Sequence, residues 1–252
     1  MRVNWTELES ILALRLYYQL PFGKLHKSNK DIIILSEIVN RTPSAVSMKL
    51  CNFASLDSKL INRDIKGLAN RSKLDKIIWD KFSNLELLER KSNEIIEKIN
   101  IKRLFDLFVK TDEAEKVSAL NLSKQRKKQS FFRKLVLSNF NNKCCITGLA
   151  CLPLLVASHI VPWSKDEKNR LNPQNGLLLN SIHDKAFDQG LITINKEFKI
   201  MLSDKIKILP KNDFVITNFL DYENKSITLP DKYLPSFEFI DYHNKYIFKD
   251  AL

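Results

Sequence analysis

The chain has 252 residues, 44% of them hydrophobic, with only 5 Gly and no repeat or low-complexity run, so a solenoid or a largely disordered protein is excluded. The 41 Lys and Arg outnumber the 29 Asp and Glu; a formal charge of +12 favours a polyanion partner, nucleic acid ahead of an anionic membrane. No apolar run approaches the roughly 20 residues of a spanning helix, and Met1-Arg2-Val3-Asn4-Trp5 opens no signal core, so a cytoplasmic chain with no membrane partner is expected.

Thr6 and Glu9 form a T-x-x-E capping box, followed by Leu8, Ile11, Leu12 and Leu16 on one helix face, and Pro21 and Gly23 end that helix. Residues 31–39 suit a second short helix, with Ile34, Leu35 and Ile38 as its apolar contacts. Thr42 then caps a third helix whose first residue is Pro43 and whose Val46, Leu50 and Phe53 face inward. Arg41, Ser44, Ser47 and Lys49 fall on the other side, an outline shared by a helix-turn-helix facing a DNA groove and by an ordinary helical hairpin. Residues 70–82 supply another helix through Leu74, Ile77, Ile78 and Trp79. Residues 85–108 are helical throughout, and Leu85, Leu88, Ile95 and Ile99 lie near heptad spacing with Ser92 between them. That seam suits either a dimer contact or packing within its own domain. A charged stretch at residues 111–116 reads as linker, and Lys124 to Lys128 as a basic run facing a phosphate backbone or solvent.

The texture then changes to α+β. A short apolar run ends at Ser158-His159, and a loop with Pro162, Trp163 and Pro173 leads to Asn175-Gly176, a strong turn signal. Residues 177–179 read as a second strand, 181–188 as a helix closed by Gly190, and 191–194 as a further strand. Asp184 and Asp188 share one helix face at i, i+4, a natural half-site for a hard divalent cation. A neutral His159 beside such a cation can take a proton from water. Cys51, Cys144, Cys145 and Cys151 form no C-x-x-C pair, so they read as reduced thiols, most of them buried, and no structural zinc is expected.

Four ordered motifs carry a resemblance. They are Cys144-Cys145-Ile146-Thr147-Gly148, Ala157-Ser158-His159-Ile160-Val161-Pro162-Trp163, Asn172-Pro173-Gln174-Asn175-Gly176-Leu177-Leu178-Leu179, and Asp184-Lys185-Ala186-Phe187-Asp188-Gln189-Gly190. Together they resemble the HNH, or ββα-metal, endonucleases, and more narrowly the restriction-associated branch. Gln129 to Arg133 resembles the lead-in to that domain, and the match extends over roughly residues 125–252. The resemblance implies that His159 is the general base, that Asn175 braces the loop that positions it, and that Asp184 and Asp188 hold the metal. Ser158 stands where the broader pattern often has a metal-binding Asp or His, so it is a candidate metal or phosphate contact, as is His183. Carboxylates in place of histidines favour one Mg²⁺ or Mn²⁺ per site over zinc. Leu20 to Lys24, Arg41 to Leu50 and Asn52 to Asp57 resemble a helical module found before such domains, where DNA binding is inferred.

The expected organisation is a helical, helix-turn-helix-like DNA-binding or dimerisation domain at residues 1–110, a linker at 111–124 and a nuclease domain at 125–252. Expected contacts to duplex DNA are Arg41, Ser44, Ser47, Lys49, Arg126, Lys127, Lys128 and Arg133, with Lys165 and Arg170 as further phosphate candidates. The implied function is a restriction or defence endonuclease, and a homodimer would let it cut both strands. The rivals are a DNA-binding regulator with a degenerate nuclease fold and a non-specific toxin nuclease.

Overall fold

A computed structural model describes residues 4–61, 72–108, 124–230 and 232–248. The chain divides into two compact units, residues 1–131 and 132–252, and the division falls inside a helix. The expected linker lies outside the described residues except for Lys124. Among the described residues, no helix is long and apolar enough to cross a membrane.

The first unit is helical. Its elements are α1 (Glu7–Gln19), α2 (Lys30–Ile38), α3 (Pro43–Ala54), the single turn α4 (Ser58–Ile61), α5 (Lys73–Lys81), α6 (Leu85–Phe108) and the first half of α7 (Lys124–Asn139). The Thr6–Glu9 capping box starts α1 and the Thr42 hydroxyl caps α3, each satisfying main-chain N–H groups that a helix start leaves unpaired. Helix α1 packs against α3, α5 and α6. At its centre Tyr17, Tyr18, Phe53 and Trp79 form an aromatic cluster, and the buried Tyr17 hydroxyl donates to Asp57 Oδ2 at 2.7 Å. Val46, Leu50 and Phe53 are wholly buried, as their spacing predicts.

Three expected inward contacts differ: Leu8, in the first turn of α1, Ile34 and Ile77 are exposed. The heptad-like seam of α6 is covered only in part within this unit, with Leu85 and Ile99 half-buried. Leu88, Ser92 and Ile95 are buried, and Ser92 Oγ accepts from Arg15 Nη1 at 2.9 Å, which satisfies the one polar position of the seam.

The second unit is α+β. Strand β1 (Leu155–His159) pairs antiparallel with β2 (Gly176–Asn180), with Leu155 opposite Asn180 and His159 opposite Gly176. Leu177, Leu178 and Leu179 are all buried, the pattern of a strand covered on both faces. Helix α8 (Ser181–Asp188) follows β2 without a gap, its start capped by Asn180 Oδ1, which accepts from His183 N at 2.8 Å. A second hairpin, β3 (Ile192–Ile194) with β4 (Ile200–Leu202), precedes the short helices α9 (Asp204–Lys207) and α10 (Asp213–Asn218) and the final helix α11 (Phe237–Tyr246). Gly190 closes α8 with φ of +66°, and a Cβ there would meet the Ile247 carbonyl.

The turn signalled by Asn175-Gly176 ends at Asn175 rather than starting there. Residues 173–175 form a 3₁₀ turn, and Gly176 is extended, with φ of −134°. Its requirement for glycine is steric: a Cβ would lie 2.7 Å from Val136 Cγ2 and 2.9 Å from Phe132 Cζ.

Candidate active site

The order β1, long loop, β2, α8 brings one end of the first hairpin beside the helix that follows it. His159 is the last residue of β1. Its ring lies flat on Phe132, with centroids 3.7 Å apart and planes 15° apart, and meets Trp163 edge-on at 5.4 Å. The Nε2 atom is 3.0 Å from the Arg170 carbonyl oxygen. A carbonyl only accepts, so Nε2 carries the proton and the neutral ring keeps its lone pair on Nδ1. Burial holds the His159 pKa below its ordinary value, against the favourable pull of the Arg170 carbonyl, so the imidazole is neutral at pH 7.

The loop that supplies this carbonyl is tied by short polar side chains. Asn175 Oδ1 accepts from Val161 N at 2.8 Å and Asn175 Nδ2 donates to Val161 O at 3.2 Å, two residues beyond His159. Ile160 N donates to Asn175 O, so main chain and side chain of one residue clamp both ends of the loop. Asp166 Oδ2 accepts from Asn169 Nδ2, and Asn169 Oδ1 from Asn172 Nδ2. Arg170 donates through Nε to Trp163 O, pairs with Glu167 and lies over the Trp163 ring, so its charge is already engaged within the loop.

Asp184 and Asp188 project from α8. Burial raises the Asp184 pKa, while the Ser158 hydroxyl and Lys185 pull it down. The Asp188 carboxyl is raised by partial burial first and by the charge of Asp184 second. Ser158 is buried and its Oγ makes no hydrogen bond of standard geometry, although it approaches Asp184 closely enough to favour the carboxylate. Ser158 and Asp188 each lie near Asp184, whereas the ring of His159, the next residue of the strand, rests on Phe132. The charge of Asp184 disfavours ionisation of Asp188, and the buried Ser158 hydroxyl lacks a standard partner; these oxygens are donors of the kind a hard divalent cation takes. Among the described residues, no group of three or more His, Cys, Asp or Glu side chains comes together as a metal cluster. Protein donors to a cation here would be few, as suits an ion that retains water.

His183 requires a correction. It was expected at the surface as a metal or phosphate contact, but it is 1% exposed, on the inward face of α8. Its Nε2 donates to Asn218 O at 2.6 Å, and its ring meets Phe219 and Tyr222 edge-on. The ring also faces Cys144. Burial pushes that thiol up, but His183, Thr147 and the main chain at residues 146 and 147 outweigh it and bring its pKa down to about 7. Asn180 N donates to Cys144 Sγ at 3.3 Å, so the sulfur ties the loop before β1 to the start of α8.

The expected DNA-contacting residues also divide. Ser44 is exposed. Lys49 is not on an outer face: it is 3% exposed and paired with the fully buried Asp75. The spacing that placed it outside could not register a partner 26 residues along the chain. Arg41 is paired with Glu9, donates to Asn4 O and lies over the Trp5 ring. Ser47 Oγ donates to Leu25 O. Lys128 pairs with Glu86. Arg133 donates to the Leu155 and Leu152 carbonyls, which anchor α7 to the start of β1. Arg126 and Lys127 lie on α7, and their side chains fall outside the described ones. Phe132 entered the sequence reading only as part of the Gln129 to Arg133 lead-in, because no pattern distinguishes a core aromatic from one that floors a functional ring.

Residues 144–195 match the family model described as HNH endonuclease. No curated protein matches the chain.

Proposed function

We propose that this chain, whose residues 144–195 match the HNH endonuclease family model, hydrolyses phosphodiester bonds of duplex DNA with His159 as general base. The observation that carries this reading is the hydrogen bond from His159 Nε2 to the Arg170 carbonyl, which leaves Nδ1 as the basic atom. Water adds to phosphorus, its proton passes to His159 Nδ1, and the ester bond to the departing oxygen breaks. Asn175 holds the loop that presents the Arg170 carbonyl. Asp184 and Asp188, with Ser158 beside them, would hold one Mg²⁺ or Mn²⁺. Such a cation supplies charge neutralisation for the phosphoryl and departing oxygens.

The helical part, through residue 110, binds DNA in this reading, and the nuclease part begins at residue 125. Ser44 is the groove-facing candidate of the first part, since Arg41, Ser47 and Lys49 are held by Glu9, Leu25 and Asp75. The net charge of +12 supports a polyanionic substrate. The four ordered motifs support a restriction or defence role, and a homodimer would cut both strands with two sites.

The test is cleavage of modified and unmodified plasmid, of single-stranded DNA and of RNA, each with Mg²⁺, with Mn²⁺ and with EDTA. Cation-dependent nicking or fragmentation of duplex DNA is expected. Cutting that ignores EDTA, or that acts on RNA alone, would overturn the assignment.

A further inference from the structure

Gly176 lies directly opposite His159 in the first hairpin, and its lack of a side chain has a consequence for the histidine. A Cβ at Gly176 would sit 2.9 Å from Phe132 Cζ. The space that glycine leaves is therefore the space that the tip of the Phe132 ring fills. Phe132 is 2% exposed, and its ring runs from this gap across the face of the imidazole. His159 is thereby confined by the Phe132 face, the Trp163 ring and the Arg170 carbonyl. Without a flat floor the imidazole could tilt about its Cβ–Cγ bond, and Nε2 would leave the carbonyl that fixes the tautomer.

We infer that Phe132 is a positioning residue for the hydrolysis, holding the His159 ring in the plane that keeps Nε2 on the Arg170 carbonyl and Nδ1 free, with Gly176 as the gap that admits it. This inference rests on the proposal that His159 is the base. Phe132 touches no substrate in this scheme and acts through the histidine. Its contribution is to orientation, so it belongs in the rate of the bound complex and not in DNA affinity.

The experiment compares the full chain with Phe132→Leu and with Phe132→Met, whose unbranched side chain reaches further into the vacated space. Single-turnover cleavage at saturating DNA is expected to fall about tenfold or more in both, with the half-saturating DNA concentration within about twofold of wild type. In ¹⁵N and ¹H spectra of histidine-labelled protein, the wild-type His159 shows the Nε2–H tautomer and ring protons shifted upfield by the Phe132 ring. Either variant loses the upfield shift and acquires a mixture of tautomers. Unchanged cleavage in a folded variant that has lost the ring-current shift would overturn the inference. A pure Nε2–H tautomer retained in both variants would overturn it as well. The spectra need no cleavage, so failure of the nuclease assignment, seen as wild-type protein that cuts nothing, is distinct from failure of the floor. If Phe132→Leu does not fold, Phe132→Met decides by the same criteria.

Discussion

Acid should weaken the second unit through His243, and the size of the effect follows from its surroundings. His243 lies on α11 and is 1% exposed. Its Nε2 donates to the Phe187 carbonyl at 3.1 Å, and its ring stacks on Phe187 with centroids 3.7 Å apart. Thr193 Oγ1 lies 2.8 Å from Nδ1. Burial lowers its pKa from 6.5 to about 4, outweighing the help of the Phe187 carbonyl. The unfolded chain therefore takes up a proton at higher pH than the folded one. Stability contributed by the neutral ring is intact above about pH 6.5 and is lost as pH falls towards about 4, below which this group adds no further loss. At about 1.4 kcal/mol per pH unit, the span from 6.5 to about 4 corresponds to about 3 kcal/mol. His243→Gln keeps an amide donor for the Phe187 carbonyl but does not titrate. Urea unfolding of both proteins between pH 7 and 4 should show the wild type losing about 3 kcal/mol more than the variant. Parallel pH curves would refute the reasoning. Asp184 and Asp188, whose raised pKa values act in the opposite direction, are common to both proteins and cancel in the comparison.

Gly176→Ala should lower stability by about 1–3 kcal/mol through overpacking against Val136 and Phe132, and adding Val136→Ala should restore part of it; a thermal melt of the three proteins checks this. Asn175→Ala removes both side-chain bonds to Val161, at about 1–3 kcal/mol for each main-chain group left unpaired, and should slow cleavage because the loop that fixes His159 loosens. Unfolding at wild-type urea concentration would show that these bonds are replaced. Lys49→Met strands the buried Asp75 carboxylate and should cost about 3–5 kcal/mol, most of it recovered by Asp75→Asn in the same chain. Weakened DNA binding in that stable double variant would return Lys49 to the DNA-contacting set.

Local rules were legible in the sequence wherever the deciding partner lies within a few residues. Thr6 and Glu9, Thr42 and Pro43, and the closing Gly190 act through contacts of this kind, and the elements they bound stand where their spacing puts them. The strand–loop–strand–helix order of residues 155–188 was legible for the same reason. The failures involve distant partners. Lys49 has the hydrophilic profile of an outer residue, but Asp75 draws it inside. His183 resembles its polar neighbours, but Asn218 O and Cys144 give it a buried role. Gly176 carries a turn signature in sequence, whereas its glycine is required by Phe132 and Val136, some forty residues earlier in the chain. Of the second hairpin only β3 was anticipated, because β4, no longer than β3, acquires its strand character from pairing with it. Which polar residues of the helical unit stay exposed was the least legible part, since exposure depends on how helices meet.

The most direct test of the central claim is His159→Ala assayed at matched DNA occupancy. Removing a general base should lower the cleavage rate about 10²–10⁴-fold while leaving DNA affinity and the unfolding midpoint of the first unit unchanged. Cleavage by His159→Ala at the wild-type rate, with the same cation requirement, would contradict the assignment of His159 as the base.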